Sequence, residues 1–158
     1  MEYRNLVPVV GAILNITGSG CCNQMIALRV EDGIIHFVIS AETHVIDSRQ
    51  LRPGMRVAAF YDKNRPIPMI FPPQYRAELI TALERNELIA LNFFDTQLIA
   101  EDNSLQLNVS RNTEIQTING QSFFCDIGNR PLFVYYTVTT RSIPPQTTPR
   151  KIVVLGCE

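Results

Sequence analysis

The chain repeats itself. DGIIHFVISAETHVID, which starts at Asp32, aligns with DNSLQLNVSRNTEIQT, which starts at Asp102. Ser40 meets Ser110, Thr43 meets Thr113 and Val45 meets Ile115. Further on, GMRVAAFY from Gly54 lies over GNRPLFVY from Gly128, which sets Tyr61 against Tyr135. Last, Pro72-Pro73-Gln74 lies over Pro144-Pro145-Gln146. Three ordered blocks within 158 residues point to an internal duplication, so the fold must be one that half the chain can adopt. The expected units are residues 1–84 and 85–158, with the boundary in Glu84-Arg85-Asn86-Glu87. A unit of that size has a marginal core when alone.

The periodicity within each unit is that of strands. Ile26, Leu28 and Val30 alternate with Met25, Ala27 and Arg29, and Ile35, Phe37 and Ile39 alternate with Ile34, His36 and Val38. Asp32-Gly33 is a hairpin signal, because glycine tolerates positive φ. Leu51-Arg52-Pro53-Gly54 is a turn, and a strand follows over Met55–Tyr61. RAELITALERNEL has helical propensity by itself, but its counterpart Lys151–Leu155 is strand-like, so a strand is predicted from Tyr75 to Leu83. The expected fold class is all-β, with two duplicated small barrels packed together; a β-sandwich formed by both halves is the alternative.

The glycine of G-x-I/L at Gly11, the D-G pair at Asp32-Gly33, S-x-x-T-x-V from Ser40 to Val45 and L-x-x-G-M-x-V from Leu51 to Val57 carry a family resemblance. The pattern resembles the tandem OB-fold-like units of uncharacterised bacterial proteins and spans most of the chain. The resemblance implies a fold and no reaction.

Composition narrows the function classes. Hydrophobic residues make up 46% of the chain and charged residues 18%, which suits a packed core rather than a disordered segment. A net charge of −1 supplies no field that draws the chain to nucleic acid or to an anionic membrane. No apolar run reaches the length of a membrane span. The N-terminus, read as the natural start, lacks a basic segment followed by a long apolar core, so a cytoplasmic protein is expected. The cysteines Cys21, Cys22, Cys125 and Cys157 form no C-x-x-C pair, and reduced thiols are expected, with a disulfide from Cys21 or Cys22 to Cys125 as the alternative.

No catalytic constellation stands out. His36 and His44, with Glu42 and Asp47 nearby, have a spacing that metal ligands can have, but Gln106 and Glu114 replace them in the second copy. Polar strand positions are the simpler reading. Ser40 and Thr43, repeated as Ser110 and Thr113, suit hydroxyl-to-backbone bonds at a bend. Gly18-Ser19-Gly20 lacks the third glycine and following helix of a phosphate loop. No cofactor, metal or catalytic residue is assigned, and a non-enzyme is expected.

Seven of ten prolines fall in two connections: Pro66, Pro68, Pro72 and Pro73 in the first, and Pro144, Pro145 and Pro149 in the second. Proline removes backbone donors and stiffens a loop. Aromatic and basic residues interleave there, and in a small Greek-key barrel the loop before the last strand contacts ligands. The candidate contact residues are Tyr61, Lys63, Arg65, Phe71, Tyr75 and Arg76 in the first unit, and Tyr135 and Arg141 in the second. Ile67, Met69, Ile70 and Phe71 equally suit a cover over the barrel end or a contact between subunits. The expected function is a binding or assembly module acting through these loops on a partner protein or on itself. A single-stranded nucleic-acid or oligosaccharide binder is the alternative.

Overall fold

The computed structural model describes residues 2–18 and 22–155. The fold is all-β, with two short 3-10 turns at Tyr3–Asn5 and Ile46–Ser48. Among the described residues no helix is long and apolar enough to cross a membrane. Contacts divide the chain into two compact units, Met1–Arg85 and Asn86–Glu158.

The first unit contains β1 (Leu6–Gly18), β2 (Gln24–Val30), β3 (Gly33–Ile39), β4 (His44–Val45), β5 (Arg56–Asp62), β6 (Gln74–Arg76) and β7 (Leu79–Ala82). β1 pairs antiparallel with both β2 and β5, and β2 pairs antiparallel with β3. The branched, alternating residues behind these strands put Ile13, Ile26, Leu28, Phe37 and Val57 into one buried cluster. Each such side chain contributes about 1.5–3 kcal/mol when fully buried. Gly11 allows β1 to approach β2 closely, since a Cβ there would lie 2.5 Å from the Arg29 carbonyl oxygen.

β6 and β7 are two halves of one extended stretch, and they serve different neighbours. β6 pairs parallel with β3, while β7 pairs antiparallel with β5. At the split, the Ala77 N–H donates to the Val38 carbonyl at 3.0 Å and the Glu78 N–H to the Phe60 carbonyl at 2.8 Å. The strands therefore close into a ring in the order β1, β2, β3, β6/β7, β5 and back to β1. The stretch from Tyr75 is strand and not helix, because both of its edges are taken up by neighbours.

The second unit contains β8 (Leu88–Phe94), β9 (Gln106–Leu107), β10 (Glu114–Thr117), β11 (Arg130–Tyr136), β12 (Gln146–Thr147) and β13 (Lys151–Val154). Its pairings follow the same scheme. β8 pairs with β11, β11 with β13, and β12 pairs parallel with β9. Single bridges Phe94↔Ala100 and Ile99↔Gln106 stand where the first unit has β2. This strand is shortened because side-chain-capped turns crowd it. Asp95 accepts hydrogen bonds from the Gln97 and Ile99 amides, and Asp102 from the Ser104 amide. By hydrogen bonding, β1–β7 join one sheet and β8–β13 make up two others.

The shared threonines sit at the split. Thr43 Oγ1 accepts the Ser40 amide at 3.1 Å and donates to the Ala77 carbonyl at 2.8 Å. Thr113 Oγ1 accepts the Ser110 amide at 3.2 Å and donates to the Pro149 carbonyl at 2.8 Å. The Phe71–Pro72 and Ile143–Pro144 peptide bonds before the last strand are both cis.

Two details differ from the sequence reading. The β2–β3 loop is Glu31-Asp32, and Gly33, at a φ of 141°, opens β3 opposite Val30. The alignment of β5 with β11 also shifts by one residue. The Glu78 amide bonds Phe60 and the equivalent Arg150 amide bonds Tyr135, so Tyr135 matches Phe60, and Tyr136 matches Tyr61. Matching Gly54 with Gly128 hid this, because the loops before the two strands differ in length.

Replacing Thr43 or Thr113 by valine keeps the shape and removes both bonds at the split. Each change is expected to cost about 1–3 kcal/mol, from the carbonyl and amide left unpaired, measured by denaturant unfolding. Unaltered midpoints would show that the hydroxyls do not hold the split strand.

Candidate functional site

A cavity of about 390 Å³ opens on the first unit between β3, the end of β5, the Pro-rich connection and β6. Its lining includes Val38, Tyr61, Asp62, Arg65, Gln74, Tyr75 and Arg76, with Pro66, Ile67 and Pro68 forming one wall. A second concavity, of about 350 Å³, shares Val38 and Arg76 with it and continues to Ser40, Glu42 and Cys22. The groove thus runs from the Pro-rich loop to the loop between β1 and β2.

Pairing geometry explains why these side chains meet. The parallel register sets His36 against Gln74, Phe37 against Tyr75 and Val38 against Arg76. Asp62, at the end of β5, accepts the Asn64 amide at 2.9 Å and starts the turn that carries Arg65 back over the strands. Tyr61 and Tyr75 stack with ring centroids 4.1 Å apart and planes 21° apart. The Tyr75 ring also contacts Phe37, at 5.6 Å. Tyr75 is therefore held between two aromatic rings rather than left free as a platform.

The basic residues are already engaged. Arg65 Nε lies 2.8 Å from Glu78 Oε1 in an ion pair. Arg76 pairs with Glu42 at the junction of the two concavities. Burial raises the Tyr61 pKa above the usual tyrosine value, and the neighbouring Tyr75 raises it further. Burial also raises that of Tyr136, at the matching place in the second unit.

Of the sequence candidates, Tyr61, Arg65, Tyr75 and Arg76 come together in the groove. Phe71 and Lys63 are exposed and lie outside its lining. Arg141 is exposed on the second Pro-rich connection. Tyr135 is a correction: it is 1% exposed, with the Arg150 guanidinium and the Lys151 ammonium over its ring at 5.2 and 5.3 Å. The one-residue register shift moves it to the buried position of Phe60.

The groove residues not foreseen are Val38, Asp62 and Gln74. One signal for Val38 was present, since the alignment sets it against Asn108. In the second unit the matching concavity holds about 240 Å³ and is lined by Asn108, Val138, Gln146 and threonines 139, 140, 147 and 148. Asn108 donates to Gln146 there at 3.1 Å. The second unit thus has hydroxyls and amides where the first has an aromatic and arginine lining.

The other chemical candidates do not converge. His36 lies on β3 and His44 on β4, and among the described residues no group of three or more His, Cys, Asp or Glu could hold a metal ion. Cys22 and Cys125 are free and exposed. Cys21, Cys157 and the Ser19-Gly20 part of the glycine loop lie outside the described residues.

Comparison with known proteins adds little. No family model and no curated protein matches the chain. A solved structure, that of apo TiaS (tRNAIle2 agmatidine synthetase), is similar over 59% of this chain at 13% identity and a TM-score of 0.36. The likeness spans only 21% of that protein.

Alkaline titration gives a test of the tyrosine pair. A raised folded pKa means that the folded state keeps its phenol protons longer. The associated stability is full below the unfolded tyrosine pKa of about 10 and is lost as pH rises through the folded value. Tyr75→Phe is expected to lower the Tyr61 pKa without returning it to the unfolded value, followed by phenolate absorbance. A Tyr61 titration unchanged in Tyr75→Phe would contradict the coupling.

Proposed function

We propose that the chain is a non-enzymatic binding module built from two OB-like barrels, with the Pro-rich connection of the first unit as its contact loop. The observation that carries this reading is the exposure of Met69 at 102% and Phe71 at 94%, beside the groove. Large apolar side chains held in solvent on a proline-stiffened loop suit contact with a partner protein, because little chain entropy is lost on docking. Ile67 and Ile70 are also exposed and extend the same loop surface. The strand order, with its parallel closing pair and a Pro-rich loop before the last strand, supports the OB-like description.

The second reading is an oligosaccharide site in the groove itself. The mixed lining of Tyr61, Asp62 and Gln74 favours an uncharged ligand with hydroxyls. Single-stranded nucleic acid fits less well, since Arg65 and Arg76 already face carboxylates and Tyr75 is enclosed by other rings.

A photo-reactive phenylalanine analogue at position 71 tests the loop in cells. A discrete protein adduct at that position, absent when the same analogue replaces the exposed Ile34 on β3, is expected. No adduct at position 71 would count against the contact loop. For the groove, a glycan array should give the only ligand signal, and labelled oligonucleotides at low salt should show no change in polarisation; a salt-dependent rise would reverse that preference.

A further inference from the structure

The two units treat the outer edge of their first strand differently. In the first unit, β1 pairs with β5 from Leu6 to Ala12 but with β2 only from Ala12 onward. The Leu6 N–H donates to the Tyr3 carbonyl, and among the described residues the outer edge from Pro8 to Val10 is open. In the second unit, β8 pairs with β11 along its whole length, and among the described residues its outer edge is engaged only at the far end, where the Phe93 carbonyl accepts the Glu101 amide and Phe94 bridges Ala100.

Strand alternation shows which groups face outward. The Phe60 and Arg56 carbonyls bond toward β7, so Val57, Ala59 and Tyr61 bond toward β1, and Leu6, Pro8 and Val10 face away. The Tyr135 and Pro131 carbonyls bond toward β13, so Leu88, Ala90 and Asn92 bond toward β11, and Ile89 and Leu91 face away. The outward bond of Phe93 has the same parity. Because Tyr61 matches Tyr136, Val7 matches Leu88 and Pro8 matches Ile89.

The first unit thus carries a proline where the second carries Ile89. Proline has no N–H to offer, and it guards an open edge against pairing. The second unit has no such guard. Among the described residues, the outward N–H and C=O groups of Ile89 and Leu91 make no hydrogen bond. The strand Leu88-Ile-Ala-Leu-Asn-Phe-Phe94 carries no charge, and Leu88 is itself exposed.

We propose that the outer edge of β8 is a self-association site, where β8 of a second copy pairs antiparallel about a two-fold axis at Ala90. That register sets Ile89 of each copy against Leu91 of the other, and these are the residues whose backbone groups face outward. All of their free N–H and C=O groups are then satisfied in a closed pair. The same register brings Ile89 beside Leu91 on one face and Leu88 beside Asn92 on the other, and none of these four is charged. A second copy is the occupant because an uncharged strand is complementary to itself in this register and gives a differently charged partner nothing to select. The inference does not depend on the groove or on the Pro-rich loop.

Light scattering over a concentration series is expected to show the mass rise toward twice the 17.9 kDa of one chain. Ile89→Pro copies the guard of the first unit and leaves the β8–β11 bonds of Leu88, Ala90 and Asn92 in place, so a folded monomer is expected. Amide exchange on the unmodified chain reads the same edge even if that variant fails to fold. The Ile89 and Leu91 amides are expected to exchange more slowly as concentration rises, while the matching Val10 amide does not change. A wild-type chain that stays monomeric would overturn the proposal, including the case in which another protein's strand occupies the edge. So would concentration-independent exchange at Ile89 and Leu91, or a folded Ile89→Pro that still forms the dimer.

Discussion

The structure depends on one short junction, the point where the last strand stops serving β3 and starts serving β5. At Ala77-Glu78 the two neighbouring amides bond to opposite sides of the ring, and Thr43 Oγ1 donates to the Ala77 carbonyl. The same threonine accepts the Ser40 amide, so one hydroxyl ties the bend after β3 to the turning point of the last strand. Without the junction, β3 and β5 would each be left with an open edge, and the core would be a curved sheet facing water. Thr113 has the same two partners, Ser110 and Pro149, in the second unit. The most regular side-chain motif in the sequence therefore serves closure rather than chemistry.

Closure leaves the loops free to differ. With the ring held by backbone pairing, exchanging Val38 for Asn108, Tyr75 for Thr147 or Glu78 for Arg150 leaves the strand scheme intact. The last exchange reverses a charge. Glu78 faces Arg65 in the first unit, whereas Arg150 makes a two-pronged hydrogen bond to the buried Glu87 in the second. The first unit presents a tyrosine-lined groove and an apolar loop, and the second presents a threonine-lined concavity. Specific binding is best sought where the copies disagree.

Much of the strand pattern was legible because period-two alternation and turn residues act locally. Ile26, Leu28 and Phe37 are buried where the alternation puts them. Position along the chain was less legible where a loop length changed. The match of Gly54 with Gly128 set Tyr135 on Tyr61, while backbone pairing sets it on Phe60 and buries it. The reduction of the second strand in the second unit was also missed, since its cause is a pair of aspartate-capped turns and not a loss of apolar residues. The groove was legible only in part. Tyr61, Arg65, Tyr75 and Arg76 share a sequence neighbourhood, but Val38 joins them through the parallel pairing of β3 with β6. Long-range pairing of that kind leaves no mark on spacing.

Amide hydrogen exchange at the junction tests the central claim most directly. A strand paired on both edges protects consecutive amides, whereas an edge strand leaves every second amide open. The account expects the Ala77 and Glu78 amides to be protected together, and to lose that protection together when Thr43 is replaced by valine. Rapid exchange at either amide in the unmodified chain would mean that the last strand serves one neighbour only, and that the ring is not closed.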